Sequence, residues 1–167
     1  KTFKNRKCYN LSQNILDTTD AYKGYTKAAV LCLLMTNGLD GAMKIVLTKR
    51  SENLRYHKGQ ISFPGGKLDF KDKGDLKKCA YREAQEEIGF EKNKAIYLGK
   101  LNKYATGSGF LIQPVVALLE DAQKFIINRQ EVTSILHFPI NYLLSNKSFT
   151  KVYTNKDKNK YYLNIYW

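Results

Sequence analysis

In the stretch "REAQEEIGF", residues 82–90, three carboxylates (Glu83, Glu86 and Glu87) crowd together in a chain whose formal charge is +13. At about 100° per residue, Leu76, Ala80, Ala84 and Ile88 make one apolar helical stripe. Glu83 and Glu87 fall in or beside that stripe, one turn apart, with Glu86 on its flank. Carboxylates at the inward edge of a helix repel one another and are costly to desolvate, so something positive must compensate them. Arg82 can pair with one glutamate or with a neighbouring loop. A hard divalent cation answers the cluster better, because Mg²⁺ or Mn²⁺ prefers carboxylate oxygen plus water. The alternative is a solvated acidic face laced with lysine pairs, and it fits less well because the carboxylates share an arc with the apolar stripe.

The elements that must position this cluster follow from period and punctuation. A helix is predicted from about Asp75 to Ile88, with Asp75 as N-cap and Gly89 as the stop. Ahead of it, "TKAAVLCLLM" and "MKIVLTKR" read as strands joined through "TNGLDGA", where Asn37-Gly38 and Asp40-Gly41 favour a hairpin turn. Between strand and helix lies "SENLRYHKGQISFPGGKLDFKDKG", too irregular for a standard element, and long loops in compact domains are usually functional. "AIYLGKL", "FLIQPVVALLE" and "KFIINR" read as strands, Pro139 opens a helix "PINYLLS", and "FTKVYT" and "YYLNIYW" flank a last hairpin. "LSQNILDTTDAY" carries Leu11, Ile15 and Leu16 at helical spacing behind Ser12 as a cap. The order suggests an α+β sandwich without internal repeats.

Composition bounds the function. The chain of 167 residues fits one domain, and 43% hydrophobic with 26% charged residues is ordinary globular usage. No apolar run approaches the roughly 20 residues that span a bilayer. Cys8, Cys32 and Cys79 lack CxxC spacing, which speaks against a disulfide framework or a cysteine zinc site and for a reducing, intracellular, cytoplasmic setting. The charge draws anions, whether nucleic acid, acidic membrane or a phosphorylated small molecule, although "NKDKNK" at 155–160 reads as a solvated loop. The sequence begins with Lys1 and stops at Trp167, so targeting signals at either end would be invisible.

"REAQEEIGF" resembles the distinctive half of the Nudix box: Arg-Glu, an apolar residue, any residue, Glu-Glu, any residue, Gly, an apolar residue. The resemblance implies an α/β/α sandwich with a central mixed β-sheet over residues 1–167, and a divalent-metal-dependent hydrolase of diphosphates linked to another moiety. It implies that Glu83, Glu86 and Glu87 hold Mg²⁺ or Mn²⁺ and that Arg82 belongs to the same catalytic group. The first half of the box departs from the pattern. Counted back from Arg82 the usual glutamate falls on Gly74, counted forward from Gly66 it falls nearer Asp72, and the loop is longer by two residues.

"LTKRSENLRYHKGQISFPGGKLD" further resembles the segment that marks coenzyme A diphosphatases within that family, and "TGSGFLIQPVVALL" and "EVTSILHFPINYLL" are similar to the same subgroup, so the likeness covers roughly residues 27–145. Coenzyme A carries a diphosphate and a separate 3′-phosphate, so its site needs a metal at the scissile linkage and cations nearby. Lys49, Arg50, Arg55, His57 and Gln60 are the candidate substrate groups, and Gly65 and Gly66 allow close approach of the backbone. Arg50 and Arg55 could equally be solvated and His57 structural. Thr106, Ser108 and Gly109 could contact substrate or merely turn the chain into a strand, and Glu131 is a lesser candidate for general base beside the helix trio. In the subgroup an element beginning Trp-Gly follows the last strand, whereas here only Trp167 remains, so a C-terminal helix after Trp167 is either truncated or merely not included. The expected reaction turns coenzyme A or acyl-CoA into 3′,5′-ADP and a 4′-phosphopantetheine product. Its rivals are another nucleoside diphosphate derivative (a dinucleotide, nucleotide sugar or capped RNA) and a non-catalytic binding module on the same fold. No aromatic and basic interleaving typical of an RNA platform stands out, so nucleic acid is not the expected partner.

Overall fold

The computed structural model describes residues 22–36, 42–119, 123–141, 155–156 and 159–160. In chain order they form β1 (Thr26–Thr36), β2 (Met43–Arg50), β3 (Ile61–Ser62), β4 (Gly65–Lys67), α1 (Leu76–Ile88), β5 (Ala95–Lys100), β6 (Tyr104–Ala105), β7 (Phe110–Leu119), β8 (Val132–Pro139), β9 (Asn155–Lys156) and β10 (Asn159–Lys160). The fold class is α+β, with one mixed sheet ordered β3-β2-β1-β7-β5. β1 runs parallel to β7 from Thr26 to Met35, and the other pairings in the sheet are antiparallel.

β1 and β2 pair only where Leu34–Thr36 meets Met43–Ile45. They then diverge, and the gap is lined by β4 against Ala28–Val30 and by β3 against Thr48 and Lys49. The long polar loop thus contributes two short strands to the centre of the sheet, next to the helix that carries the glutamates.

Alternation sorts the two faces. Ala29, Leu31, Leu33 and Met35 of β1, Val46 of β2, and Val115, Ala117 and Leu119 of β7 pack with Cys79, Ala80, Ala84 and Ile88 of α1. Ala80 and Ala84 let the helix lie close to the sheet, and full burial of Ile88 is worth roughly 2 kcal/mol. On the opposite face Ile45 and Leu47 gather Leu34, Ile61, Phe63, Phe138 and Ile140. Among the described residues no helix is long and apolar enough to cross a membrane.

Three expectations are corrected. "KFIINR" is not a strand, because Ile126 and Asn128 donate their amides to Ile88 O and Glu87 O at the end of α1 (3.0 Å each) rather than to a sheet neighbour. "VTSILHFP" is a strand, β8, and Pro139 ends it instead of opening the helix, which starts at Ile140. A proline is tolerated there because β8 pairs only with β2 and lies at the sheet edge. "NKDKNK", read as a loop, carries the β9–β10 ladder, in which Lys156 faces Asn159. The helix expected at Leu11–Leu16, the turn at 37–41, most of "PINYLLS", and "FTKVYT" and "YYLNIYW" lie outside the described residues apart from Ile140 and the last hairpin's ladder.

Candidate functional site

The site is built on α1. The Asp75 side chain accepts from the amides of Lys77 (2.8 Å) and Lys78 (3.4 Å), satisfying two of the free donors at the start of the helix. Gly89, with φ 66°, ends it in the left-handed conformation that favours glycine. Gln123 fixes that end, donating to Gly89 O (2.7 Å) and accepting from Glu91 N (3.1 Å).

Against the sheet side of α1 lies the Gly65-Gly66 pair of β4. A Cβ at Gly66 would collide with the Glu83 carboxylate and one at Gly65 with the Ala29 carbonyl, so Gly65 lets β4 lie against β1 and Gly66 leaves room for the Glu83 carboxylate. The Gly65 amide donates to Glu87 Oε2 (3.3 Å), while Arg50 Nη1 stands 3.7 Å from Glu87 Oε1. The Glu87 side chain is only 3% exposed. Burial pushes its pKa up to about 7; Arg50 and the Gly65 amide oppose the shift, and the charges of Glu131 and Glu83 add to it. Glu83 is raised too, by burial first, with Arg82 opposing.

The outer side of the helix is compensated differently. Arg82 grips Asp72 with two bonds (Nε to Oδ1 3.0 Å, Nη2 to Oδ2 2.9 Å) and donates to Lys67 O (3.1 Å). Its Nη1 reaches Glu83 Oε1 at 2.8 Å and Glu86 Oε2 at 3.0 Å. The guanidinium holds the Asp72 carboxyl below its usual range, and Asp72 in return raises Arg82. Asp72 also closes a reciprocal cap with Asp69, accepting from its amide at 2.8 Å.

These donors fit a hard divalent cation in kind: all are carboxylate oxygens, and two of the groups are desolvated acids whose positive neighbours fall short of neutralising them. Arg50, the cation nearest Glu87, has a buried Nε with no hydrogen-bond partner among the described residues. In position the set is not assembled. Among the described residues no three His, Cys, Asp or Glu side chains surround a common point, because Arg82 draws Glu83 and Glu86 toward itself while Glu87 turns to Gly65.

Of the other expected groups, Arg50 joins the cluster and Glu131 acts on it through its charge. Glu131 sits in a turn, with its amide on Asn128 O (3.0 Å) and its Oε1 accepting from Asn128 Nδ2 (3.2 Å). Lys49 pairs with Glu52 at 3.7 Å, and Arg55 lies over its neighbour Tyr56, 5.3 Å from the ring centroid. His57, at φ 58°, bonds Gln60 across a turn (Nδ1 to Oε1 3.0 Å), and the Gln60 carbonyl accepts from Arg50 N at 2.9 Å. Thr106 and Ser108 bond each other (3.0 Å), and Thr106 Oγ1 accepts from Phe110 N (3.0 Å), which is the strand-entry reading of that turn. Sequence reasoning missed Asp72 as the anchor of Arg82, although the Asp69-x-x-Asp72 capping pattern signals it. It also missed Asn128, which ties the backbone of Glu87 to Glu131.

The NUDIX domain model matches residues 25–144. The peroxisomal coenzyme A diphosphatase ndx-8 of Caenorhabditis elegans is 37% identical over 136 residues, covering 79% of this chain and 58% of that protein. Nudix hydrolase 15, mitochondrial, of Arabidopsis thaliana is 34% identical over 131 residues, covering 77% of this chain and 45% of that protein. The chain therefore spans about half the length of these curated relatives. Among solved structures, the Nudix hydrolase RenU from M. Smegmatis superposes with a TM-score of 0.59 at 19% identity, covering 72% of this chain and 74% of that one. The NUDIX domain of Shewanella oneidensis NrtR, complexed with ADP ribose, gives 0.54 at 19% identity, covering 77% and 83%.

Proposed function

This chain belongs to the Nudix family, and from that premise we propose that it hydrolyses the diphosphate of coenzyme A or acyl-CoA to 3′,5′-ADP and the corresponding 4′-phosphopantetheine. The observation that carries the reading is the pair of desolvated carboxylates, Glu83 and Glu87, against the Gly65-Gly66 strand with Arg50 beside them. An under-neutralised acid pair next to exposable backbone amides suits a cation-bridged phosphate. The coenzyme A assignment is supported by the Leu54-to-Gly66 segment and by the relative whose name carries that activity.

Glu83, Glu86 and Glu87 are the groups that would hold Mg²⁺ or Mn²⁺, and the ion supplies neutralisation of phosphate oxygens and a water of lowered pKa. Arg82 orients Glu83 and Glu86 from its anchor on Asp72. Gly65 fixes the Glu87 carboxylate, and Arg50 meets the substrate's charge. A carboxylate of the helix trio accepts the proton of the attacking water, with Glu131 as the lesser candidate. Arg55, His57, Lys49 and Gln60 serve the remaining phosphate and the adenosine. We place the enzyme inside the cell, and the names of the two relatives add peroxisome and mitochondrion to the cytoplasm.

One observation favours a second reading. Lys49 and Arg55 are engaged with Glu52 and Tyr56 rather than turned toward the glutamates, which favours a nucleoside diphosphate derivative without a 3′-phosphate on the same glutamates. Incubation with coenzyme A, ADP-ribose, a dinucleotide and capped RNA under Mg²⁺ or Mn²⁺, with products separated by chromatography, decides. The expected outcome is 3′,5′-ADP from coenzyme A at the highest kcat/KM. Its absence under every divalent metal would end the coenzyme A assignment.

A further inference from the structure

On the outer flank of α1 lies a cleft of about 520 Å³ that meets the site described above only at Arg82 and its anchor Asp72. Four of its lining residues are lysines, Lys71, Lys77, Lys78 and Lys92, and two are tyrosines, Tyr81 and Tyr97. Two carboxylates also line it, and both are engaged: Asp72 by Arg82, Asp75 by the amides that start the helix. Arg82 is itself committed to Asp72, Glu83, Glu86 and Lys67 O. None of the four lysines has a carboxylate partner among the described residues, so the cleft concentrates uncompensated positive charge in a concavity, where a field acts more strongly than on a convex surface.

The tyrosines make the cleft more than a basic patch. Tyr81 is held by an edge-on contact with Phe90 (centroids 5.2 Å, 80°), and its hydroxyl is buried without a hydrogen-bond partner among the described residues. Tyr97 is 39% exposed, and Lys77 stands over its ring at 4.3 Å from the centroid, also reaching Tyr81 at 5.6 Å. A lysine stacked on an exposed aromatic, with three more cations along the same wall, is the pairing of charge and ring face that nucleotides recognise.

We propose that this cleft is a second, non-catalytic nucleotide site, in which the lysines hold phosphate and Tyr97 stacks on the base as Lys77 turns from its ring to the phosphate. The chemistry is shared by a free nucleotide and by one nucleotide of a single-stranded RNA.

The test is calorimetric titration with adenosine 5′-monophosphate, inorganic phosphate and a short oligoribonucleotide in EDTA, so that no divalent ion contributes and the hydrolytic reading is not at stake. One saturable site for the nucleotide is expected, weakened about tenfold by Tyr97→Ala or Lys77→Ala and unchanged by Arg50→Ala. Tighter binding of the oligonucleotide assigns a strand as the source, and equal binding assigns the free nucleotide. No saturable binding of either, inorganic phosphate binding as tightly as the nucleotide, indifference to Lys77→Ala and Tyr97→Ala, or loss on Arg50→Ala would each overturn the proposal.

Discussion

Asp72 and Glu87 are equally hidden from solvent, each 2% exposed, but Glu87 lies the deeper of the two and their carboxyls are driven in opposite directions. Asp72 receives two short bonds from Arg82 and an amide from Asp69, and the Arg82 hydrogen bonds outweigh the cost of burial. Glu87 has one long amide bond and an arginine at 3.7 Å, and burial wins. Surface exposure alone therefore says little about what an acid is for. The paired acid positions Arg82, whereas the under-paired one keeps a carboxylate in need of a cation.

The largest effect should come from removing the under-paired side. Glu87→Gln and Glu86→Gln are each expected to lower kcat for metal-dependent diphosphate hydrolysis by about 10² to 10⁴, with a circular dichroism spectrum like that of the parent. Near-normal rates in both would mean that the cation is held elsewhere.

On the paired side the loss should fall on stability. Arg82→Ala strips Asp72 of its partner in a buried site and should cost on the order of 3 kcal/mol by urea unfolding, whereas Asp72→Asn in the same background should recover part of it. If Arg82→Ala leaves the unfolding midpoint in place and Asp72→Asn recovers nothing, the two carboxylates do not differ in the way drawn here.

That contrast was only half legible in the sequence. Asp75, Gly89 and the stripe through Ala80, Ala84 and Ile88 are local signals, and they located α1 and its glutamates correctly. Whether Glu83 or Glu87 is desolvated depends on Gly65 and Gly66, more than a dozen residues away in sequence, and on Asn128 closing over the end of the helix. No window along the chain contains that information. "KFIINR" failed for the same reason: its apolar and polar alternation suits a strand, yet its amides are captured by the last carbonyls of α1. "VTSILHFP" was obscured by Pro139, a residue that weighs against a central strand and carries little weight at the end of an edge strand.

The effect sharpest in sign, comparable in size to the loss at Arg82 but spread over several pH units, concerns pH in the absence of metal. Glu87 has its folded pKa raised from the ordinary 4.5 to about 7, so the folded protein keeps a proton there that the unfolded chain releases earlier. Its contribution is fully present below about 4.5 and is lost as pH rises through about 7, on the order of 3 kcal/mol in all. Asp72 has the opposite sign: with its pKa lowered, its contribution is present above the ordinary 3.8 and is lost as pH falls below it. In EDTA the urea midpoint should therefore decline between about pH 5 and about pH 8, and Glu87→Gln, which carries no titrating group, should flatten that decline while leaving the acid limb intact. Arg82→Ala should do the reverse, weakening the acid limb through Asp72. An undiminished alkaline decline in Glu87→Gln would transfer the proton to another buried acid, with Glu83, raised by the same burial, the next to be substituted.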